Sequence, residues 1–280
     1  MTTEGGATMT ERVVLITGAA GQVGRILMDR PPRPGWRYVL LDVVAPEGAD
    51  RRDDATVVIG SVTDEVLVRS AMAGVTDVVH LGALSVEDEW QRIVQVNIDG
   101  TRIVLDAARD AGVGRFVFAS SNHAMGFYTP ADAPAGGLPD DAPARADTYY
   151  GWSKVAGEEL LRLYCERYGM RGVAVRIGHC FPEPLTGSRL AVWLSPADAR
   201  ALVDAALEND IDAFQIVWGA SANTRSWLSR EGGRRIGFIA RDDSERFADR
   251  FPPEQTRVDP TTPLGAHFTG VPLGEPMRTR

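Results

Sequence analysis

The apolar run VVLIT passes without interruption into Thr17-Gly18-Ala-Ala-Gly21-Gln22-Val23-Gly24, and helical periodicity begins inside that turn. No other feature limits the chain so sharply. Glycines at this spacing permit a tight turn, close backbone approach to a pyrophosphate, and close contact between helix and sheet. Continuous apolar runs mark strands buried on both faces, and more of them follow: YVLLD, TVVIG, DVVHLG, RFVFAS, GVAVRIG and FQIVWG. Helical patterns lie between them, clearest over 88–112 and 147–169. Such alternation predicts an α/β fold with a doubly wound parallel sheet.

Ligands of a sheet of this Rossmann kind bind past the carboxyl ends of the strands. Gly18, Gly21, Gln22, Val23 and Gly24 are therefore expected to hold a dinucleotide phosphate. The second run ends in Asp42, 18 residues beyond Gly24, where an acid can bind ribose hydroxyls. No arginine follows Asp42 immediately, so a 2′-phosphate would meet repulsion and NAD is expected over NADP. Ser61 and Val62 are expected to flank adenine. Leu81, Gly82 and Ala83 would let the cofactor lie against the backbone, with Ile177 at the end of the sixth run.

Of 30 basic residues, 29 are arginine and one is lysine, Lys154, four residues after Tyr150. Arginine serves wherever generic positive charge is wanted, so the lone lysine marks a place where a compact ammonium is needed. Four residues of helix put Tyr150 and Lys154 on one face. An ammonium beside a phenol is expected to lower its pKa toward neutrality, making Tyr150 a general base.

The chain has 280 residues, 44% of them hydrophobic, enough for one large domain. A net charge of −8 argues against nucleic acid or an anionic membrane as partner, and no apolar run approaches a membrane span. Residues 1–11 lack signal-peptide character and are expected to form a disordered extension. Cys165 and Cys180 have neither metal nor disulfide spacing; buried free thiols and a cytoplasmic location are expected. No His/Asp/Glu cluster has metal-ligand spacing, so no metal is expected. Residues 129–146 read as a surface loop, 12–250 as one NAD-binding domain with substrate-binding insertions at about 179–214, and 251–280 as an extended tail.

The glycine turn, Asn97 in a long helix, Ser120-Ser121 after the fifth run and the Tyr150/Lys154 pair together resemble the extended short-chain dehydrogenase/reductases. The stretches SSNHAMGFY, YYGWSK, RIGHCFPEP and VWGASAN are similar to the uronate dehydrogenases, across roughly residues 12 to 240. That resemblance implies NAD-dependent oxidation of a hexuronic acid (galacturonate or glucuronate) at C1 to an aldarolactone. It implies Tyr150 as base, Lys154 as its tuner and ribose contact, Ser121 on the reacting oxygen, and Asn97 bending its helix to position a relaying water. It also implies sugar contacts from Ser85, Asn122 and His123, and self-association, as is common in the superfamily. A uronate carboxylate needs a cation, and Arg189, in the irregular segment after the sixth run, is the candidate. The chain departs from the family pattern at His179, where a small hydroxyl residue is usual; His179 is expected to touch substrate and alter the pocket. A nucleotide-sugar epimerase or dehydratase, and a non-catalytic NAD-binding protein, remain open alternatives.

Overall fold

The computed structural model describes residues 11–277. The expected extension over 1–11 thus falls outside the described residues except for Glu11, which is exposed and accepts a hydrogen bond from Arg37 Nε at 2.8 Å.

Strands form at β1 (Arg12–Thr17), β2 (Trp36–Asp42), β3 (Ala55–Ile59), β4 (Asp77–His80), β5 (Arg115–Ser121), β6 (Arg171–Ile177), β7 (His179–Cys180), β8 (Trp193–Leu194) and β9 (Phe214–Gly219). Seven of them make one parallel sheet in the order β3-β2-β1-β4-β5-β6-β9. The short β7 and β8 pair with each other at its rim. Helices α1 (Gln22–Met28), α2 (Glu65–Ala71), α3 (Trp90–Ile93), α4 (Gly100–Asp110), α5 (Tyr149–Tyr168) and α6 (Pro196–Glu208) connect the strands.

Alternate residues of the same strands serve opposite faces, which is why the runs read as continuously apolar. Leu15, Val78 and Phe116 face a core shared with Val68, Val104 and Leu161 of α2, α4 and α5. Their neighbours Val14, Val79 and Val117 face Leu27 of α1 and Leu202 of α6. Successive strands run outward in opposite directions from β1 and β4, so a crevice opens above the carboxyl ends of these two strands.

Three segments differ from the plainest reading of the sequence. The expected insertion at 179–214 divides: 179–194 lies on the rim, whereas α6 is one of the layers covering the sheet. In the loop 129–146, Leu138 and Asp140 are buried. Asp140 accepts hydrogen bonds from the backbone of Trp218 and Gly232, and its carbonyl accepts one from Arg176. The rest of the loop is exposed or half-buried, as expected of a surface loop, and only these two residues turn inward. The segment from 251 carries only short turns, Pro253–Thr256 and Ala266–Gly270, yet it buries Leu264 and Phe268. Glu87 secures its end, accepting from Gly274 N at its side chain and from Met277 N at its carbonyl.

Candidate active site

A cavity of about 680 Å³ occupies the crevice, within the size range of cofactor sites. It is lined by every residue expected to hold a dinucleotide: Gly18, Gly21, Gln22, Val23, Gly24, Asp42, Ser61, Val62, Leu81, Gly82, Ala83, Tyr150, Lys154 and Ile177. Ser85 and Ser121 line it too. Gly18 has φ +68°, and a Cβ there would meet Gly82 N at 2.7 Å, so the turn and the end of β4 touch backbone to backbone. This leaves a cradle that only glycine permits. Asp42 holds the turn in place, accepting from Ala20 N at 2.8 Å and Val43 N at 2.7 Å. Arg92 and Lys154 are the only cationic side chains on the cavity wall. With an acid at the end of β2 and no arginine beside it, the donor set fits NAD better than NADP.

Behind the cavity floor, His80 is buried between Phe116 and Phe118 and is fixed at both nitrogens. Thr101 donates to the Asn97 carbonyl, so His80 Nε2–H donates to Thr101 and Nδ1 accepts from Thr17. Thr17 in turn accepts from Gly82 N. Burial lowers the His80 pKa to about 3, with the Lys154 charge acting in the same direction.

Asn97 lies in a π-helical stretch, Val94–Asp99, between α3 and α4. Its carbonyl accepts from the Thr101 hydroxyl at 2.6 Å. Its side chain accepts from Leu84 N and donates to Leu84 O and Ser153 Oγ. Asn97 is thus buried behind the cavity wall rather than on it, with both amide hydrogens committed.

α5 begins at Thr148, whose hydroxyl accepts from Gly151 N as an N-cap. Tyr150, Lys154 and Glu158 follow at one-turn intervals and all are buried. The expected electrostatics do not hold here. Lys154 Nζ donates to the Ala119 carbonyl at 2.8 Å and sits 5.6 Å from the centre of the Tyr150 ring. Burial raises the Tyr150 pKa to about 12; nearby Ser121 opposes this and the Asp147 charge adds to it. Burial likewise lowers Lys154 to about 8, against the pull of Glu158. Desolvation outweighs the helical pairing because the phenol lies inside the wall. Glu158 is itself paired bidentately with Arg176 and accepts from Ser120, which stiffens the ends of β5 and β6.

Of the expected sugar-binding residues, Ser85 and Ser121 line the cavity, whereas Asn122, His123, His179 and Arg189 are not on its wall. Asn122 is buried and donates to Leu264 O at 3.3 Å. His123 is buried, with Nδ1 2.7 Å from Asp147 Oδ2. Its ring centre is 4.0 Å from that of Phe268 and 5.8 Å from that of Tyr150. His179 faces its own loop: its Nε2 accepts from Leu185 N at 3.2 Å and its ring stacks on Phe181. Burial and then the Arg189 charge lower its pKa to about 4. Arg189 is half-buried on a second cavity of about 450 Å³, which Leu264 and Ala266 also line. Among the described residues no carboxylate lies within 4 Å of its guanidinium, and burial lowers its pKa against the pull of Asp147.

Sequence reasoning missed Asp147, Glu87, His267 and Phe268. The pair His267-Phe268, aromatic and flanked by Gly265 and Gly270 in a proline-broken stretch, was the available signal. Among the described residues no group of three or more His, Cys, Asp or Glu could hold a metal ion, and no helix is long and apolar enough to cross a membrane.

The model of the NAD dependent epimerase/dehydratase family matches residues 14–229. The chain belongs to that family. It is similar to the uronate dehydrogenase of Agrobacterium fabrum, 36% identical over 94% of this chain and 97% of that one. The NAD-dependent glucose-6-phosphate dehydrogenase of Haloferax volcanii is also 36% identical, over 85% of this chain and 96% of its own. Among solved structures, a tyrosine-to-alanine variant of uronate dehydrogenase from Agrobacterium tumefaciens complexed with NAD superposes with a TM-score of 0.83. It is 34% identical and the match covers 93% of this chain and 98% of that one.

Proposed function

We propose that this protein oxidises a hexuronic acid, galacturonate or glucuronate, at C1 to the aldarolactone with NAD. One arrangement carries the reading. Tyr150, Ser121 and Lys154 line the same cavity as the glycine turn, while Arg189 lines a second cavity, near enough to Asp147 and His267 for their charges to interact, with no carboxylate within 4 Å among the described residues. A hexuronate has its reacting carbon at one end and its carboxylate at the other, which suits such a division.

The turn Gly18–Gly24 and Asp42 would hold NAD, which supplies the hydride acceptor. Ser121 would donate a hydrogen bond to the C1 oxygen and fix its orientation. Tyr150 would take the C1 hydroxyl proton. Its raised pKa makes the phenolate a minor form at neutral pH, so proton removal gains as the pH rises for as long as Lys154 stays charged. Lys154, the cation nearest the phenol on α5, would favour that phenolate and contact the nicotinamide ribose. Asn97 would act by holding Leu84 and Ser153, and through them the start of α5, in register. Ser85, Asn122 and His123 would border the sugar, with Arg189 pairing with its carboxylate, while His179 stays with its own loop.

A second reading is oxidation of a phosphorylated aldose. The cavity beyond Arg189 also presents the hydroxyls of Thr186 and Ser188, and its volume exceeds what a carboxylate requires. A cytoplasmic setting rests on two free, buried thiols, Cys165 and Cys180. Self-association rests on exposed Trp90 and Trp152, whose ring centres lie 5.3 Å apart on α3 and α5. NADH formation over galacturonate, glucuronate, mannuronate, galactose, glucose and glucose 6-phosphate tests the assignment. Turnover of the uronates over the neutral sugars is expected. Preference for glucose 6-phosphate would favour the second reading, and equal turnover of galactose would remove Arg189 from the carboxylate role.

A further inference from the structure

Asp147 lies beside His123 and the start of the helix that carries Tyr150, and its side chain is completely buried. Its surroundings are built to admit it. A Cβ on Gly126 or on Gly265 would come within 1.9 Å of its Oδ2, and one on Gly151 within 2.9 Å of its Oδ1. Gly265 and Gly126 are themselves joined backbone to backbone. The next residue, Ala266, is the only non-glycine residue of positive φ among those described, at +50°. The tail is therefore held in a strained turn against this carboxylate, and strain of this kind collects at functional sites.

The hydrogen bonds on Asp147 have a direction. Thr148 donates its hydroxyl to Oδ1, and His123 Nδ1 lies 2.7 Å from Oδ2. A carboxylate only accepts, so Nδ1 carries the proton. Nε2 then holds a lone pair and has no protein partner among the described residues. It is not sealed in either: Tyr38 Oη is the only buried side-chain polar atom described that lacks a hydrogen bond. Phe268 covers one side of the ring and Tyr150 lies nearby on another.

We propose that Asp147 is a positioning residue for substrate. It holds His123 as the Nδ1–H tautomer, so that Nε2 accepts a hydrogen bond from a sugar hydroxyl beside Tyr150. The inference rests on reading the site as one for a sugar acid. Fixing a histidine through its second nitrogen is how carboxylates set the tautomer of ligating imidazoles, where losing the partner costs roughly 10- to 100-fold.

The test is long-range ¹H–¹⁵N correlation of the histidine side chains in the full-length protein, His123 being assigned by its loss in His123→Gln. The wild-type protein is expected to show the Nδ1–H tautomer at pH 8. Asp147→Asn, whose amide can donate to Nδ1, is expected to shift His123 toward Nε2–H. It should also raise KM for galacturonate about tenfold while leaving the Kd for NAD, measured by calorimetry, within about twofold. An Nε2–H or doubly protonated His123 in the wild type overturns the proposal, whether or not Asp147→Asn folds. So does a folded Asp147→Asn with unchanged tautomer and KM. A wild-type protein that oxidises no uronate would instead overturn the functional reading, which the tautomer alone does not decide.

Discussion

The Lys154 ammonium donates to the Ala119 carbonyl at 2.8 Å, one residue before Ser120 and two before Ser121. The lysine thereby ties α5 to the end of β5, the two elements that carry Tyr150 and Ser121. The site around it is closed, with the Phe118 ring centre 5.2 Å away and Lys154 itself 5% exposed. A guanidinium is too broad for this space and would force side chains off their rotamers, at about 1–3 kcal/mol. Lys154→Arg is therefore expected to lower the urea midpoint modestly and to reduce kcat by on the order of 100-fold or more. Wild-type kcat in that variant would show that charge alone is required.

The raised phenol of Tyr150 and the lowered ammonium of Lys154 set a pH profile. Below about 12 the phenolate fraction grows with pH, while above about 8 Lys154 loses its charge. The single-turnover rate is expected to climb from roughly pH 6 to pH 8 and then to flatten. A rate that falls across that interval would contradict the assignment of Tyr150. Tyr150→Phe should bind NAD with ordinary affinity and lose at least about 100-fold in turnover.

Under the proposed function, Arg189 is the residue that would separate acid from neutral sugar. A charge-assisted hydrogen bond contributes about 1.5–3 kcal/mol. Arg189→Gln is expected to raise KM for galacturonate roughly 10- to 100-fold with no change on galactose. Equal losses on both sugars would assign the residue to packing.

Two histidines predict how stability depends on pH. His80 and His179 are neutral in the folded chain, with pKa values lowered to about 3 and about 4. Unfolded, each titrates near 6.5 and binds a proton that the folded state refuses. Their stabilisation is thus complete above about pH 6.5 and is lost as the pH falls toward the folded values. At pH 5 the two should cost about 2–4 kcal/mol relative to pH 7. Urea denaturation at the two pH values measures this, and equal midpoints would contradict the buried, neutral assignment.

The cofactor half of the site is legible in the sequence because its determinants are local. Gly18 to Gly24 form one turn, Asp42 ends one strand, and Gly82 follows another. Tyr150 and Lys154 are legible as helical neighbours, but helical spacing carries no information about desolvation. The sign of the Tyr150 shift was lost for that reason. The substrate half depends on long-range packing. Phe268 reaches His123, and Glu87 links the start of α5 to Gly274, through contacts that no spacing rule encodes. His179 illustrates the same limit: its position pointed to substrate, whereas its Nε2 is spent on Leu185.

Hydride transfer from C1 of a uronate to NAD is tested most directly by mixing the purified protein with NAD and either galacturonate or glucuronate and following NADH absorbance. NADH formation matched one-for-one by aldarolactone, and abolished in Tyr150→Phe, is the expected result. A protein that binds NAD yet forms no NADH from either uronate would contradict it.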